Sequence, residues 1–510
     1  MQIKLLPSHA NWPLFNTISS RQIESRALAA SGSTTQLMEQ AGMAAARLAL
    51  ALVPNHDGPI WVACGPGNNG GDGLVAARLL HQHGIAVRVS LLASKNTPPA
   101  ATAAALAAAQ DAGLAICTEM RAPPSTRLGI DALLGLGLSR APSPEIAAGI
   151  KALNSLSAPV LALDLPSGLH PDHGCLTGEA AVHAQHCLAL LTLKPGLFTG
   201  AGRAHCGELW FDDLGQAPTH AGDALLVGAP CLSAWRAQAA ASSNHAKHKG
   251  SQGDVLVIGG VAGMRGAARL AARAALAAGA GRVYVCFLGA APDDIDPQRP
   301  ELMRFLQPSL EDPSAIASWC HKTLVCGCGG GDAIAAQLAQ VLGHGQRLVL
   351  DADALNAVAL DTGLRTGLKQ RRSKGLATLL TPHPLEAARL LGSDAASVQA
   401  DRIGAAQALV DELGCQVILK GSGSIIAGPH RQTAINSSGS AALATPGSGD
   451  VLAGWLGGLW AQQPMADPHD LACLACYWHG AAALSQAGGP LRAADLVEHM
   501  HALHTGPDLS

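Results

Sequence analysis

Two stretches of this 510-residue chain follow one grammar of apolar strand, glycine loop and alanine-rich helix, the first starting near Ile60 and the second near Val255. A short apolar run turned by glycine into a helix belongs to a parallel sheet covered on both faces, so the repeat predicts two α/β units in series. In the first, Ile60–Cys64 reads as a buried strand and Leu74–His83 as a helix ended by Gly84, with further strands at 86–92, 128–131, 160–163 and 186–193. The second offers strands at 254–258, 282–287, 323–326, 348–350, 377–380 and 416–419. Between about Ala217 and Gly253 the periodicity fades into a polar connector, which places the expected boundary near residue 225 and the domains at 1–225 and 226–510. The expected fold class is α/β, with a Rossmann-like, doubly wound N-terminal domain.

Composition narrows the partners. A formal net charge of -3 leaves no basic field for a nucleic acid or an anionic membrane, so small molecules are the expected ligands. The N-terminus lacks the long apolar core of a signal peptide and no 18-residue apolar run occurs, hence a cytoplasmic protein is expected. Thirteen cysteines, an odd number spread through core segments, form no disulfide framework. Cys473 and Cys476 make a CxxC whose spacing suits a packed helix face better than a metal, and Cys326 and Cys328 bring no second ligand pair, so no zinc site is expected.

The first glycine loop, Gly65–Gly73, contains Asn68, Asn69, Gly70, Gly71 and Asp72 between a strand and a helix, where backbone N–H groups receive anions. Read as GxGxxG it lacks the acidic ribose partner about 20 residues on, because Arg88 and Ser90 stand there, so a standard redox dinucleotide site is not expected. A tight strand-to-helix turn would carry the same glycines, but not two amides and a carboxylate. Asp131, Asp164 and Ser167 stand at other strand ends, where such oxygens suit a monovalent or divalent hard cation; each aspartate taken alone fits a helix cap equally well.

Asn68–Gly73, Asp131–Arg140, Asp164–Gly168 and Thr192–Pro195 resemble the NAD(P)H-hydrate epimerases. The resemblance implies that the damaged nucleotide is held by Asn68, Asn69, Gly70, Gly71 and Asp72, by Gly135, Leu136, Gly137, Leu138, Ser139, Arg140 and Ala141, and by Asp164. It implies potassium (K+) at Asn69, Asp131 and Ser167, and proton transfer by Asp164 with Lys194 as partner. The helix Gln36–Gly42 matches too, with Gln40 where asparagine is expected, and would bring Glu39 and Gln40 to the substrate mouth.

In the second half, Thr445-Pro-Gly-Ser-Gly-Asp450 precedes an apolar helix, so Gly447, Ser448 and Gly449 can turn N–H groups to a phosphate while Asp450 takes the proton of an attacking hydroxyl. An aspartate in a helix's first turn is also favoured by the macrodipole alone. Lys420-Gly-Ser-Gly-Ser424 follows a strand and can hold phosphates or ribose, though a plain Gly/Ser turn would read the same. His383 in Thr-Pro-His-Pro, and Asp351 with Asp353, stand at further strand ends.

From His248 onward these motifs, with Gly263–Ala267, Gly279–Gly281 and Cys326–Gly331, resemble the ADP-dependent NAD(P)H-hydrate dehydratases of the ribokinase-like superfamily. The resemblance implies a ribokinase-like α/β/α domain, the hydrate at Ala267, Gly329, His383 and Asp450, and ADP or AMP at Lys420, Gly421, Ser422, Gly423, Ser424 and Gly449, with Mg2+ in this domain. Cys328 stands where proline is expected and Leu385 where glycine is frequent. Together the resemblances are those of bifunctional hydrate-repair enzymes acting on NAD(P)HX, and a homo-oligomer is expected. The rivals are a ribokinase-like small-molecule kinase with a nucleotide-binding N-terminal domain, and a nucleotide-sensing scaffold without turnover.

Overall fold

Strand order explains why both glycine loops matter. The computed structural model describes residues 3–6, 10–31, 33, 35–53, 58–93, 97–138, 140–216, 220–241, 248–289, 296–484 and 490–505. It parts into two compact units, Trp12–Leu225 with the first few residues, and Leu226–Ser510 with the short piece His9–Asn11.

In the first unit the sheet grows outward from Ile60–Cys64. Strands Val87–Leu91 and Ile116–Cys117 lie to one side, while Leu128–Ala132, Val160–Leu163, His186–Leu190 and Glu208–Asp212 lie to the other, all parallel. Lys4–Leu6 closes this side antiparallel. The order reverses between Ile60–Cys64 and Leu128–Ala132, so their following loops diverge and open a crevice at the carboxyl ends of the strands.

The second unit repeats the device. From Asp254–Gly259 the chain passes to Arg282–Phe287 and Met303–Arg304 on one side, then to Thr323–Cys326, Arg347–Leu350, Ala377–Leu380 and Gln416–Leu419 on the other. An antiparallel hairpin, Ile425–Ala427 and Thr433–Asn436, extends the sheet.

Several elements differ from the sequence reading. The helix after the first glycine loop begins at Asn68, not Leu74, with Gly67 as its N-cap, so Asn68 to Gly71 occupy its first turn and Asp72 follows at the start of the second. The strand expected to reach residue 193 stops at Leu190, because Leu191 takes a left-handed φ of 63° and turns the chain. The expected polar connector contains the helix Pro230–Ala241. Cys473 and Cys476 are buried on the helix Pro468–Leu484. Among the described residues no helix is long and apolar enough to cross a membrane.

The high glycine and alanine content has a packing cause. Helix Ser448–Gln462 is buried all round from Val451 to Ala461 and lies against helix Arg265–Ala277. A Cβ on Gly454 would sit 1.9 Å from the Ala271 carbonyl oxygen, and one on Gly458 2.5 Å from that of Ala275. Gly454→Ala should therefore cost the second unit about 1–3 kcal/mol through overpacking. Urea unfolding followed by Trp455 and Trp460 fluorescence measures it, and an unchanged midpoint would contradict this helix contact.

Candidate active sites

The first crevice holds a cavity of about 480 Å³. Its wall includes Gly67, Asn68, Asn69 and Asp72 from the glycine loop and the following helix, Leu133 to Leu138 from the neighbouring loop, and Asp164, Thr192 and Lys194. Lys194 is buried and ion-paired with Asp164. Its ammonium also donates to the carbonyls of Leu190 and Thr192, both at 2.9 Å, which fixes the side chain. Asp164 adopts a left-handed φ of 68° and its N–H donates to Leu188 O at 2.7 Å. An aspartate in that sparsely populated region is held by its surroundings, and here the twist sends the carboxylate into the cavity wall.

Below the cavity Asp131 is fully buried. Its carboxylate accepts from Ser167 N at 2.8 Å, Ser167 Oγ at 2.7 Å and Leu133 N at 3.2 Å. Burial nevertheless outweighs these bonds and pushes its pKa up to about 6. Asn69 Nδ2 donates to Leu134 O at 2.7 Å, while Asn69 Oδ1 is buried without a hydrogen-bond partner. An orphaned carbonyl oxygen beside a buried carboxylate and a hydroxyl is a donor set for a hard cation.

Sequence-based site residues divide here. Asn68, Asn69, Asp72, Gly135, Leu136, Gly137, Leu138, Asp164 and Lys194 share one wall. Arg140 and Ala141 are exposed and stand outside the lining. Gly70 and Gly71 are also absent from the wall: a Cβ on Gly70 would lie 1.8 Å from Gly65 O, and one on Gly71 2.5 Å from Met38 Cε, so they serve close packing. Ser139 lies outside the described residues. Glu39 pairs with Arg78 at 2.7 and 2.9 Å rather than lining the mouth, and Gln40 is not in the lining. The sequence reading missed Ser20, Arg21 and Glu24, which the helix Thr17–Ser31 brings to the same cavity.

In the second unit, strand ends converge on Asp450. Gly447, with a φ of 90°, is the N-cap of helix Ser448–Gln462, and Asp450 lies in its first turn. Lys420 Nζ donates to Asp351 Oδ1 at 2.7 Å and lies 4.0 Å from Glu386 Oε2, while Thr381 Oγ1 donates to the same Asp351 oxygen at 2.7 Å. A Cβ on Gly449 would lie 3.1 Å from Lys420 Nζ, so this glycine lets the lysine pass close to the helix start. Burial, then the charge of Asp351, push Asp450 up to about 6, opposed by the nearby Cys328 thiol and by Lys420. The ligand atoms of Cys328, Asp351 and Asp450 lie within 4.8 Å of one another. Burial and both carboxylates drive the Cys328 pKa well up, so the thiol stays protonated.

Gly329 and Ala267 meet on the other side of the crevice, where a Cβ on Gly329 would be 3.0 Å from that of Ala267. His383 is the N-cap of helix Pro384–Leu391: its Nδ1 accepts from Leu385 N at 3.2 Å and Glu386 N at 3.4 Å, and its Nε2 faces Glu386 Oε1 at 3.1 Å. Both ring nitrogens thus face the helix it caps. Lys420 to Ser424 form the turn into Ile425–Ala427, held from beneath by the buried Arg402 guanidinium, which donates to Leu419 O at 3.3 Å and Lys420 O at 3.2 Å.

Comparison with known proteins follows this division. Residues 255–501 match the family model described as NAD(P)H-hydrate dehydratase, and residues 34–196 that described as YjeF-related protein N-terminus. The chain is similar to the bifunctional NAD(P)H-hydrate repair enzyme Nnr of Escherichia coli K12, at 38% identity over 88% of this chain and 84% of that protein. Its similarity to the Nnr of Coxiella burnetii is 35% identity over 96% of this chain and 99% of that one. A solved ADP/ATP-dependent NAD(P)H-hydrate dehydratase from Bacillus subtilis, co-crystallized with ATP and Mg2+, aligns at 27% identity and a TM-score of 0.43, covering 51% of this chain and 91% of that one.

Proposed function

The chain belongs to the family of bifunctional NAD(P)H-hydrate repair enzymes, and from that membership we propose that its first unit exchanges the R and S epimers of hydrated NAD(P)H while its second dehydrates the S form with ADP. The observation that carries the second assignment is the Asp450 carboxyl, raised to about 6 at a helix start beside Lys420. A base with a pKa near working pH is ionised and still accepts a proton readily. Asp450 takes the proton of the C6 hydroxyl, whose oxygen attacks the β-phosphate of ADP and AMP leaves; phosphate then departs from C6 with the C–O bonding pair, a proton is lost from C5, and the C5–C6 double bond of the dihydronicotinamide ring forms. Lys420 and the amides of the 447–449 turn hold phosphate charge, so positioning and electrostatics supply most of the rate.

In the first unit Asp164 and Lys194 form a polar part of the cavity wall, and Asp164 is the group that accepts a proton from water adding at C6. Asn69, Asp131 and Ser167 fit potassium: the orphaned Asn69 Oδ1, the buried Asp131 carboxylate and the Ser167 hydroxyl are all oxygen donors. A bound monovalent cation supplies fixed positive charge beneath the substrate. Magnesium suits the second unit's own side chains poorly. Asp351 is committed to Lys420 and Thr381, Asp353 accepts from Gly331 N at 2.8 Å, and Cys328 is a soft donor, so the ion's oxygen shell has to come from nucleotide phosphates.

Asp450→Asn should lower dehydration by about 10² to 10⁴ while epimer exchange persists. The assay incubates hydrated NADH with ADP and follows the return of reduced-nicotinamide absorbance, and unchanged turnover would remove Asp450 from its role. A stable phosphate ester in place of AMP and NADH would favour the kinase reading.

Because the base acts ionised, dehydration should fall as pH drops through about 6, where Asp450 protonates. Lys420 holds that pKa down, so Lys420→Met should move the acid limb to higher pH. A pH profile of kcat decides, and an unmoved limb would detach Lys420 from the base.

Replacing choline by potassium should raise the melting temperature of the first unit in the wild type and not in Asp131→Asn, since a ligand bound only by the folded state stabilises it. Equal melting in both salts would remove the potassium assignment.

A further inference from the structure

We propose that Glu24 is the proton donor of the first cavity, acting on the substrate hydroxyl opposite the Asp164–Lys194 pair. This rests on the epimerase reading of the first unit and adds to it a residue upstream of the 34–196 family match.

Backbone and side-chain bonds fix the helix that carries it. Phe15 N donates to Leu193 O at 2.8 Å, Ser20 Oγ and Thr192 Oγ1 share a hydrogen bond of 2.9 Å, and Thr17 N donates to Asp172 Oδ1 at 2.7 Å. Helix Thr17–Ser31 is thus tied to the segment that ends in Lys194. Ser20 and Glu24 are one turn apart on the same face, so the bond that buries Ser20 also turns Glu24 to the cavity.

Charge accounting then gives Glu24 its state. Glu24, Asp72 and Asp164 face the cavity with two cations, Lys194 and Arg21. Lys194 is held by Asp164 and two carbonyls, and Arg21 is exposed to water. With Asp164 paired to Lys194, the one buried cation, Glu24 and Asp72 are left without a buried counter-charge, and both are pushed toward their protonated forms. Burial first, then the Asp164 charge, raise Glu24, against the opposing pull of Lys194 and Arg21. Asp72 is raised well above its usual range, chiefly by burial, and so releases a proton reluctantly.

Epimer exchange needs one proton given and one returned. Glu24 protonates the C6 hydroxyl, the C–O bond breaks with its electron pair leaving on water, and the ring-nitrogen lone pair forms the C6–N double bond. Water adds to the other face of the planar iminium, and the proton it sheds returns to the carboxylates. Nothing is oxidised or reduced.

The test uses the full-length chain, with R-to-S exchange of hydrated NADH followed chromatographically in the absence of ADP. Thermal unfolding of the same preparation, compared with wild type, reports that the first unit of the variant is folded, and dehydration of the S form with ADP reports the same for the second. Glu24→Gln should lower the kcat of exchange about 10²-fold with little change in KM and abolish the high-pH limb of the kcat profile, while Glu24→Asp restores part of both. Three results overturn the proposal: an unchanged kcat and profile, a rise in KM alone, or a high-pH limb that survives Glu24→Gln and disappears in Asp72→Asn. A wild-type chain that exchanges no epimers removes the reading of the domain, and the proposal with it; unchanged exchange in Glu24→Gln removes the proposal alone.

Discussion

Both sites depend on backbone passing backbone where no side chain fits. In the first unit a Cβ on Gly65 would lie 1.8 Å from Leu133 O, and one on Gly70 1.8 Å from Gly65 O. The two loops that diverge at the switch in strand order are therefore pressed together at their roots. That contact sets Asn69 over Leu134 O and brings Asp131, Ser167 and Asp164 beneath and beside it. In the second unit Gly327 takes a φ of 119°, and a Cβ there would lie 1.8 Å from Asp351 O. The same press puts Cys328 against Asp351 and Asp450. Any larger residue at these glycines would separate groups that have to share one small volume.

Crowding of charge is the consequence, and the two units resolve it differently. The second sets Lys420 between Asp351 and Glu386 and leaves Asp450 beside the Cys328 thiol, so the Asp450 carboxylate stays near the working range. In the first, Lys194 is spent on Asp164 while Asp131 is held by hydrogen bonds alone, and Glu24 and Asp72 are pushed toward their protonated forms. One arrangement suits a step that takes a proton once and then moves a phosphoryl group. The other suits a step that gives and takes the same proton.

Loops anchored to strand ends were legible in the sequence because their glycines, aspartates and serines mark both the turn and the chemistry. Lys420, Asp164 and Lys194 fall there, Asp131 sits one residue inside a strand end, and Asp450 sits in the first turn of the helix after a glycine loop. The helix Thr17–Ser31 was not legible, since its buried face is Ser19, Ser20, Ile23 and Ala27, a stripe too polar to read as a core-facing helix. Its docking is made by the hydroxyl of Thr192, some 170 residues away, and no local pattern records that pairing. Helix starts were misplaced for a related reason: the Asn68–Gly73 stretch reads as loop by propensity, yet packing of Gly70 against Gly65 makes it the start of the helix. The hairpin 425–436 escaped notice because its strands are three and four residues long.

Cys328 illustrates how far a substitution within such a frame can be read. Where proline is expected there is instead a buried thiol within 4.8 Å of the proposed base, and its presence lowers that base's affinity for a proton. Proline offers no such group, so replacing it favours the ionised form of Asp450. The effect opposes burial and the Asp351 charge, which push the other way. A site that hides its base from water to strengthen its field must also keep that base ionised, and here a thiol with almost no tendency to ionise helps do so without adding a charge.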